Sequence, residues 1–180
     1  MRGLILALEP GEKARIGRTH RALAEARLAP EIAASRDELI ERLCAAEEPV
    51  LLIAAGAWFV NSNALPPIPA SATGRPLIAL GAVRHSSHPS HESHRHIEKW
   101  RTVLERRGAD FDTPRIFAPK IPPPACAMLE PIAAQQLGAF LKSGGDLPAA
   151  WGRLLATREF RKVHLPALDV HESEIGRAHV

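Results

Sequence analysis

Val50-Leu51-Leu52-Ile53-Ala54-Ala55-Gly56 is a run of six apolar residues stopped by a glycine. So short and uniform an apolar run marks a strand covered on both faces, because a surface helix keeps a polar side and a half-exposed strand alternates. The same signature occurs at Gly3-Leu4-Ile5-Leu6-Ala7-Leu8, which breaks at Glu9-Pro10-Gly11. Residues 13–28 are rich in Ala, Arg, Leu and Glu, with Ala22, Leu23, Ala26 and Leu28 apolar, and read as an amphipathic helix despite Gly17. Pro30 ends it, and residues 31–34 read as a second short strand. Ser35-Arg36-Asp37-Glu38 is a capping box, in which the serine accepts from an amide three residues on and the glutamate reaches back. The helix behind it places Leu39, Ile40, Leu43 and Cys44 on one face. The first third is therefore β-α-β-α-β with short connections, the pattern of a parallel sheet with right-handed crossovers. The expected fold class is α/β, three-layered, with a mostly parallel sheet.

Working outward, residues 61–74 contain Pro66, Pro67 and Pro69 and read as a loop, and residues 76–83 as a fourth strand. Residues 84–93 are polar and irregular. A helix is expected over residues 94–107, where Ile97, Trp100, Val103 and Leu104 recur at helical spacing before Gly108. Residues 115–118 and 126–129 read as strand pieces around the prolines at 122–124. Helices follow over 131–141 and 147–157, separated by Ser143-Gly144-Gly145, and residues 160–165 and 168–171 close the chain as strands. Antiparallel additions are expected late, from residues 115–129 and 160–171, where strands follow one another without long helices. No repeat or long linker divides the chain, so residues 1–174 read as one domain. Residues 175–180, Ile-Gly-Arg-Ala-His-Val, look like the translation of a widely used sequencing adapter. They read as a non-native tail, and the natural gene is expected to continue past Glu174, leaving this chain truncated.

The chain has 180 residues, 46% of them apolar and 24% charged, which is an ordinary globular composition and excludes disordered and fibrous classes. The longest apolar run, Val50 to Val60, has eleven residues against roughly twenty needed to cross a bilayer. Met1-Arg2-Gly3-Leu4 leads straight into a strand, so neither a membrane span nor a signal peptide is expected. Cys44 and Cys126 are too few for a disulfide framework and have apolar neighbours, so the cytoplasm is the expected location, with peripheral attachment to a membrane surface left open. The net charge of +3 is a small surplus of 23 basic over 20 acidic residues, interspersed along the chain, and aromatics are 4% with no tyrosine. Nothing in this composition asks for nucleic acid.

A β-α-β-α-β unit binds ligands at the C-terminal ends of its strands, which here are Glu9-Pro10-Gly11, Ser35-Arg36 and Ala54-Ala55-Gly56. Gly11 and Gly17 do not make a dinucleotide-binding fingerprint, and no phosphate-loop Gly-Lys-Ser/Thr occurs, so a nicotinamide dehydrogenase or a P-loop enzyme is not expected. Over most of residues 3–174 the layout resembles a family-2-like glycosyltransferase of the GT-A fold. The turn Leu8-Glu-Pro-Gly-Glu-Lys13 is similar to that family's base-approaching turn, and Val50–Ile53 to its apolar third strand. Ala125-Cys-Ala-Met-Leu129 is like its small-residue strand beside the acceptor, and Gly145-Asp146-Leu147 before Trp151 is like its acidic pair before a helix. Val163-His-Leu-Pro166 with Val170-His171 is like its closing strand, and this is the most specific likeness. The resemblance implies transfer of a sugar from a nucleotide-diphosphate sugar to an acceptor hydroxyl. It implies nucleotide contacts at Glu9, Pro10, Ser35, Arg36 and Gly56, acceptor contact at Met128, Asp146 as the base and His171 as a metal- or phosphate-contacting residue.

One departure is clear. The family holds a divalent metal with an Asp-x-Asp motif after the third strand, whereas Ala54, Ala55 and Gly56 offer no carboxylate to a hard cation. The expectation is thus a transferase that works without metal, with basic residues such as Arg36 balancing phosphate charge, or a fold that has kept binding and lost catalysis. Asp146 reads two ways, as the base an inverting transfer requires and as the N-cap of the helix that begins at Leu147-Pro148. Met128 and Trp58-Phe59 each read either as site lining or as core, and His171 either as a ligand or as a partly buried strand residue. His85, His88, His91, His94 and His96 can bind zinc as imidazoles, but they bring no cysteine and Pro89 interrupts the spacing. Arg15-Ile16-Gly17 faintly resembles a motif of sugar-phosphate and molybdopterin nucleotidyltransferases, the second reading. A non-catalytic domain that binds a nucleotide or a partner is the third.

Overall fold

The computed structural model describes residues 1–60, 65, 74–85 and 124–172. The first unit forms as expected: β1 (Arg2–Leu6), a single 3-10 turn at Lys13–Arg15, α1 (Ile16–Glu25), β2 (Pro30–Ala33), α2 (Arg36–Cys44) and β3 (Val50–Ala54). The chain continues through β4 (Ala57–Phe59), β5 (Leu77–Leu80), β6 (Val83–His85), β7 (Cys126–Leu129), α3 (Pro131–Lys142), α4 (Leu147–Ala156), β8 (Arg161–His164) and β9 (Val170–Glu172). The described residues are α/β, with a mostly parallel six-stranded sheet in the order β2-β1-β3-β7-β5-β8. β1 runs parallel to both β2 and β3, and β5 parallel to β8, while β7 is reversed against β3 and β5.

Side-chain alternation sends residues of each strand to two cores. Leu4, Leu6, Leu52, Ile78, Leu80 and Leu129 pack with Leu39 and Leu43 of α2, Leu137 and Leu141 of α3, and Trp151 and Leu155 of α4. Ile5, Leu51, Ile53, Leu77 and Met128 face the other way and pack with Ala22 and Leu23 of α1, with Phe59 and with Val170. Each aliphatic side chain so buried contributes about 1.5–3 kcal/mol relative to exposure, which is why both faces of the sheet must be covered. Cys44, expected on the apolar face of α2, is exposed, and Leu39 and Leu43 form that face.

Two expectations are corrected. The strand expected over residues 76–83 divides at Gly81 into β5 and β6, which belong to different sheets. A Cβ on Gly81 would stand 1.9 Å from the Leu168 carbonyl oxygen, so only glycine allows the two chain segments to meet there. β8, within the span expected to be antiparallel, runs parallel to β5 in the register Leu77↔Arg161 to Leu80↔His164. The reason is α4, which carries the chain back along the sheet so that β8 re-enters from the same end as β5. Of the late additions, β7 is antiparallel as expected, and β9 is antiparallel to β4 but parallel to β6. The helix expected over residues 94–107, the strand piece at 115–118, the histidines from His88 to His96 and the tail from residue 175 lie outside the described residues. Among the described residues no helix is long and apolar enough to cross a membrane.

A second sheet, in the order β4-β9-β6, has a simple origin. Each of its strands continues a strand of the larger sheet just past its C-terminal end: β3 into β4, β5 into β6, and β8 into β9 through the 3-10 turn Pro166–Leu168. The C-terminal edge of the large sheet is thereby walled on the α1 side by a small sheet.

Candidate functional site

The C-terminal edge gathers the polar residues. Leu8, Glu9 and Pro10 follow β1, Ser35 and Arg36 follow β2, Ala55 and Gly56 follow β3, and His164 ends β8. Because β7 is reversed, α3 starts at the opposite end and climbs to this edge, where Nη2 of Arg36 donates to the Leu141 oxygen at 2.5 Å and the Gly145 oxygen at 2.9 Å. Asp146 therefore shares the edge with all five expected nucleotide contacts.

Several of these residues already have structural duties. The Glu9 amide donates to Oε2 of Glu12 at 2.9 Å, and the Glu9 and Pro10 side chains are exposed. Ser35 caps α2 by accepting the Glu38 amide at 3.2 Å, and Oε2 of Glu38 accepts the Ala34 amide at 2.8 Å, one residue before the cap. Arg36, expected to balance phosphate charge, instead ties the last turn of α3 to the turn before α4, by donating to the Leu141 and Gly145 carbonyls. Oδ1 of Asp146 accepts the Ala149 amide at 2.8 Å, the N-cap bond that its position before Leu147-Pro148 predicts. Met128 is 1% exposed and sits in the core, in register between Leu51 and Ala79.

Gly56 is buried with φ +92°, a left-handed conformation that favours glycine. Its amide donates to Oγ1 of the fully buried Thr19 at 2.8 Å, and that hydroxyl donates to the Ala57 oxygen at 2.9 Å, so α1 pins the β3–β4 turn. The Arg15 stem lies over the turn, with Cδ 3.0 Å from where a Gly56 Cβ would stand. In the small sheet, the His171 ring lies 5.5 Å from the Trp58 ring at a 32° tilt, and the Arg18 guanidinium lies 4.6 Å from the same indole. Phe59 is core and Trp58 partly buried, so this pair divides between core and surface.

The end of β3 does not fit the divalent metal that the resemblance implies. Ala54, Ala55 and Gly56 carry no side-chain oxygen, and the Gly56 amide is engaged by Thr19. Among the described residues no three His, Cys, Asp or Glu side chains converge, His171 included.

The sequence reading missed one pair. Nε2 of His164 lies 2.8 Å from Oδ1 of Asp169, and the same oxygen accepts the Ala82 amide at 2.8 Å. Asp169 is 2% exposed, whereas the His164 side chain is 46% exposed. The nearby Cys126 thiol is held far above its ordinary range, first by burial and then by the Asp169 charge, so it stays protonated. The signal available was a histidine and an aspartate five residues apart across Pro166, which only a tight turn between two sheets brings together.

No family model matches the chain, and no curated protein matches it.

Proposed function

We propose that this chain is a glycosyltransferase domain of the GT-A type that binds a nucleotide-diphosphate sugar at the C-terminal edge of its large sheet and transfers the sugar to an acceptor hydroxyl without a divalent metal. The observation that carries this reading is the strand order. β2 and β3 flank β1 on opposite sides, so the β1-to-β2 connection and the β2-to-β3 connection run in opposite directions along the sheet, and it is at such a reversal of strand order that sheets of this kind take ligands. Glu9 and Pro10 follow β1 at that reversal, and the Gly56 turn with Arg15 across it follows the neighbouring β3. Arg15 takes the charge-balancing role expected of Arg36, because its stem lies on the turn itself. Transfer also needs a group at this edge to receive the acceptor's proton.

A second reading, a binding domain without chemistry, is favoured by one observation: Oδ1 of Asp146 and the Arg36 guanidinium both serve helix ends. The nucleotidyltransferase alternative differs in its ligand, a nucleoside triphosphate, and in its product, pyrophosphate. Calorimetry separates these readings when combined with turnover of radiolabelled donor sugars. The proposal expects heat with at least one of the uridine, guanosine, adenosine, cytidine and thymidine diphosphates, unchanged by chelator, together with release of that diphosphate from its sugar donor. Binding without turnover supports the second reading, and no heat with any of the five overturns the proposal.

A further inference from the structure

We infer that His164, held by Asp169, is the group that receives the acceptor proton at this edge; the inference rests on the glycosyltransferase reading and names a different base within it. An acceptor oxygen that takes the Ala82 amide and faces Nε2 at 2.8 Å requires Nε2 to carry its hydrogen. That tautomer leaves Nδ1 as the basic nitrogen. Among the described residues Nδ1 has no hydrogen-bond partner, and nearly half of the side chain is open to solvent. The carboxylate beneath is almost wholly buried and anchored through a backbone amide, so it fixes the ring's orientation and stabilises the imidazolium that forms when Nδ1 takes a proton. Asp146, by contrast, already accepts a cap hydrogen bond on Oδ1 and carries the start of α4.

Position also favours the histidine. From β3 to β8 the edge crosses β7 and β5, three strand spacings or about 14 Å. A ligand whose base lies at the ends of β1 and β3 and which extends along the edge therefore brings its sugar-bearing end toward His164. In the step itself, the acceptor O–H proton moves to Nδ1 as the oxygen lone pair bonds to the anomeric carbon. The bond from that carbon to the donor's phosphate oxygen breaks, and its electron pair leaves with the nucleoside diphosphate. The imidazolium then returns its proton to water.

The test uses the whole chain with the five diphosphates and their glucose donors, measuring affinity by calorimetry and turnover by release of labelled sugar. His164→Gln should lower kcat by about 10²-fold or more with the diphosphate Kd within about twofold, since base catalysis is worth roughly 10²–10⁴. Asp146→Asn should stay within about threefold of the parent, because asparagine caps equally well. Asp169 is a positioning residue, and its readout is the imidazole nitrogen spectrum: the parent should show Nε2–H, and Asp169→Asn, whose amide can donate to the ring, should switch it toward Nδ1–H. If His164→Gln turns over within threefold of the parent while Asp146→Asn loses 10²-fold, the inference is overturned and the glycosyltransferase reading stands. If the parent binds a diphosphate but turns over no donor, or shows His164 as Nδ1–H, the inference is overturned. If the parent binds none of the five, both fail together.

Discussion

The two ends of the six-stranded sheet differ in how they use charge. At the N-terminal end the charges satisfy one another: the Met1 amino group meets Glu48 at 2.5 Å, Arg2 lies between Glu31 and Glu48, and Arg42 binds Glu31. At the C-terminal end Glu9, Pro10, Ser35 and Arg36 are exposed, and a half-exposed histidine rests on a buried aspartate. Both ends are polar, yet only one is framed by loops that follow parallel strands and by a second sheet grown from three of those strands. A charged surface is thus not by itself a site; the ends are told apart by whether polar groups pair across the rim or are held in place from beneath.

Substitutions at the two ends test this contrast, beginning with the strongest effect. Gly81→Ala places a methyl group against the Leu168 carbonyl at the junction of the sheets, and should cost about 3 kcal/mol or more. A melting temperature lower by roughly 10 °C is expected by calorimetry, and an unchanged one would mean that the sheets do not meet as described. Thr19→Val keeps the shape but leaves the Gly56 amide and the Ala57 oxygen without their hydroxyl, at a cost of about 2 kcal/mol in urea denaturation. Arg36→Met removes the hydrogen bonds to the Leu141 and Gly145 carbonyls and should cost about 1 kcal/mol while leaving diphosphate affinity unchanged. Loss of affinity there would return Arg36 to the ligand and break the assignment to Arg15.

The smallest effect belongs to the opposite end. The hydrogen bond from the Met1 amino group holds the Glu48 carboxyl below its usual range, with the charges of that amino group and Arg2 adding to it against a smaller desolvation. A carboxyl lowered by folding stabilises the protein above its ordinary pKa and loses that contribution as pH falls through the lowered value. Glu48→Gln should therefore lower stability slightly at neutral pH, with the difference from the parent vanishing as pH falls through the lowered value, as thermal melts from pH 3 to 7 would show. An equal difference at pH 3 and pH 7 would contradict the pairing.

Much of the frame was readable from residues. Gly3–Leu8 and Val50–Ala55 were continuous apolar runs, and Ser35 with Glu38 marked the start of α2 to the residue. Cys126–Leu129 was legible for the same reason, since a strand buried on both faces carries no polar residue. What escaped depended on contacts distant in sequence. β4 has three residues and exists only because it pairs with β9, so local pattern carries little sign of it. Arg36 looked available for phosphate because nothing nearby in sequence revealed that α3 would end against it, 105 residues later. His164 and Asp169 meet only because the Pro166–Leu168 turn folds the chain across Gly81. The expected nucleotide contacts and Asp146 fell on one edge because strand order alone places loops, whereas the duty of each side chain depended on neighbours that order does not specify.

The most direct test compares the two ends in one experiment: titrating nitrogen-15-labelled protein with uridine diphosphate and following every backbone amide. The account predicts that amides from Glu9 to Arg15 and at Gly56 shift in a saturable manner, while Glu31, Glu48 and the other amides of the N-terminal end stay within error. Shifts concentrated at the N-terminal end, or no saturable shift with this or any of the other four nucleoside diphosphates, would contradict it.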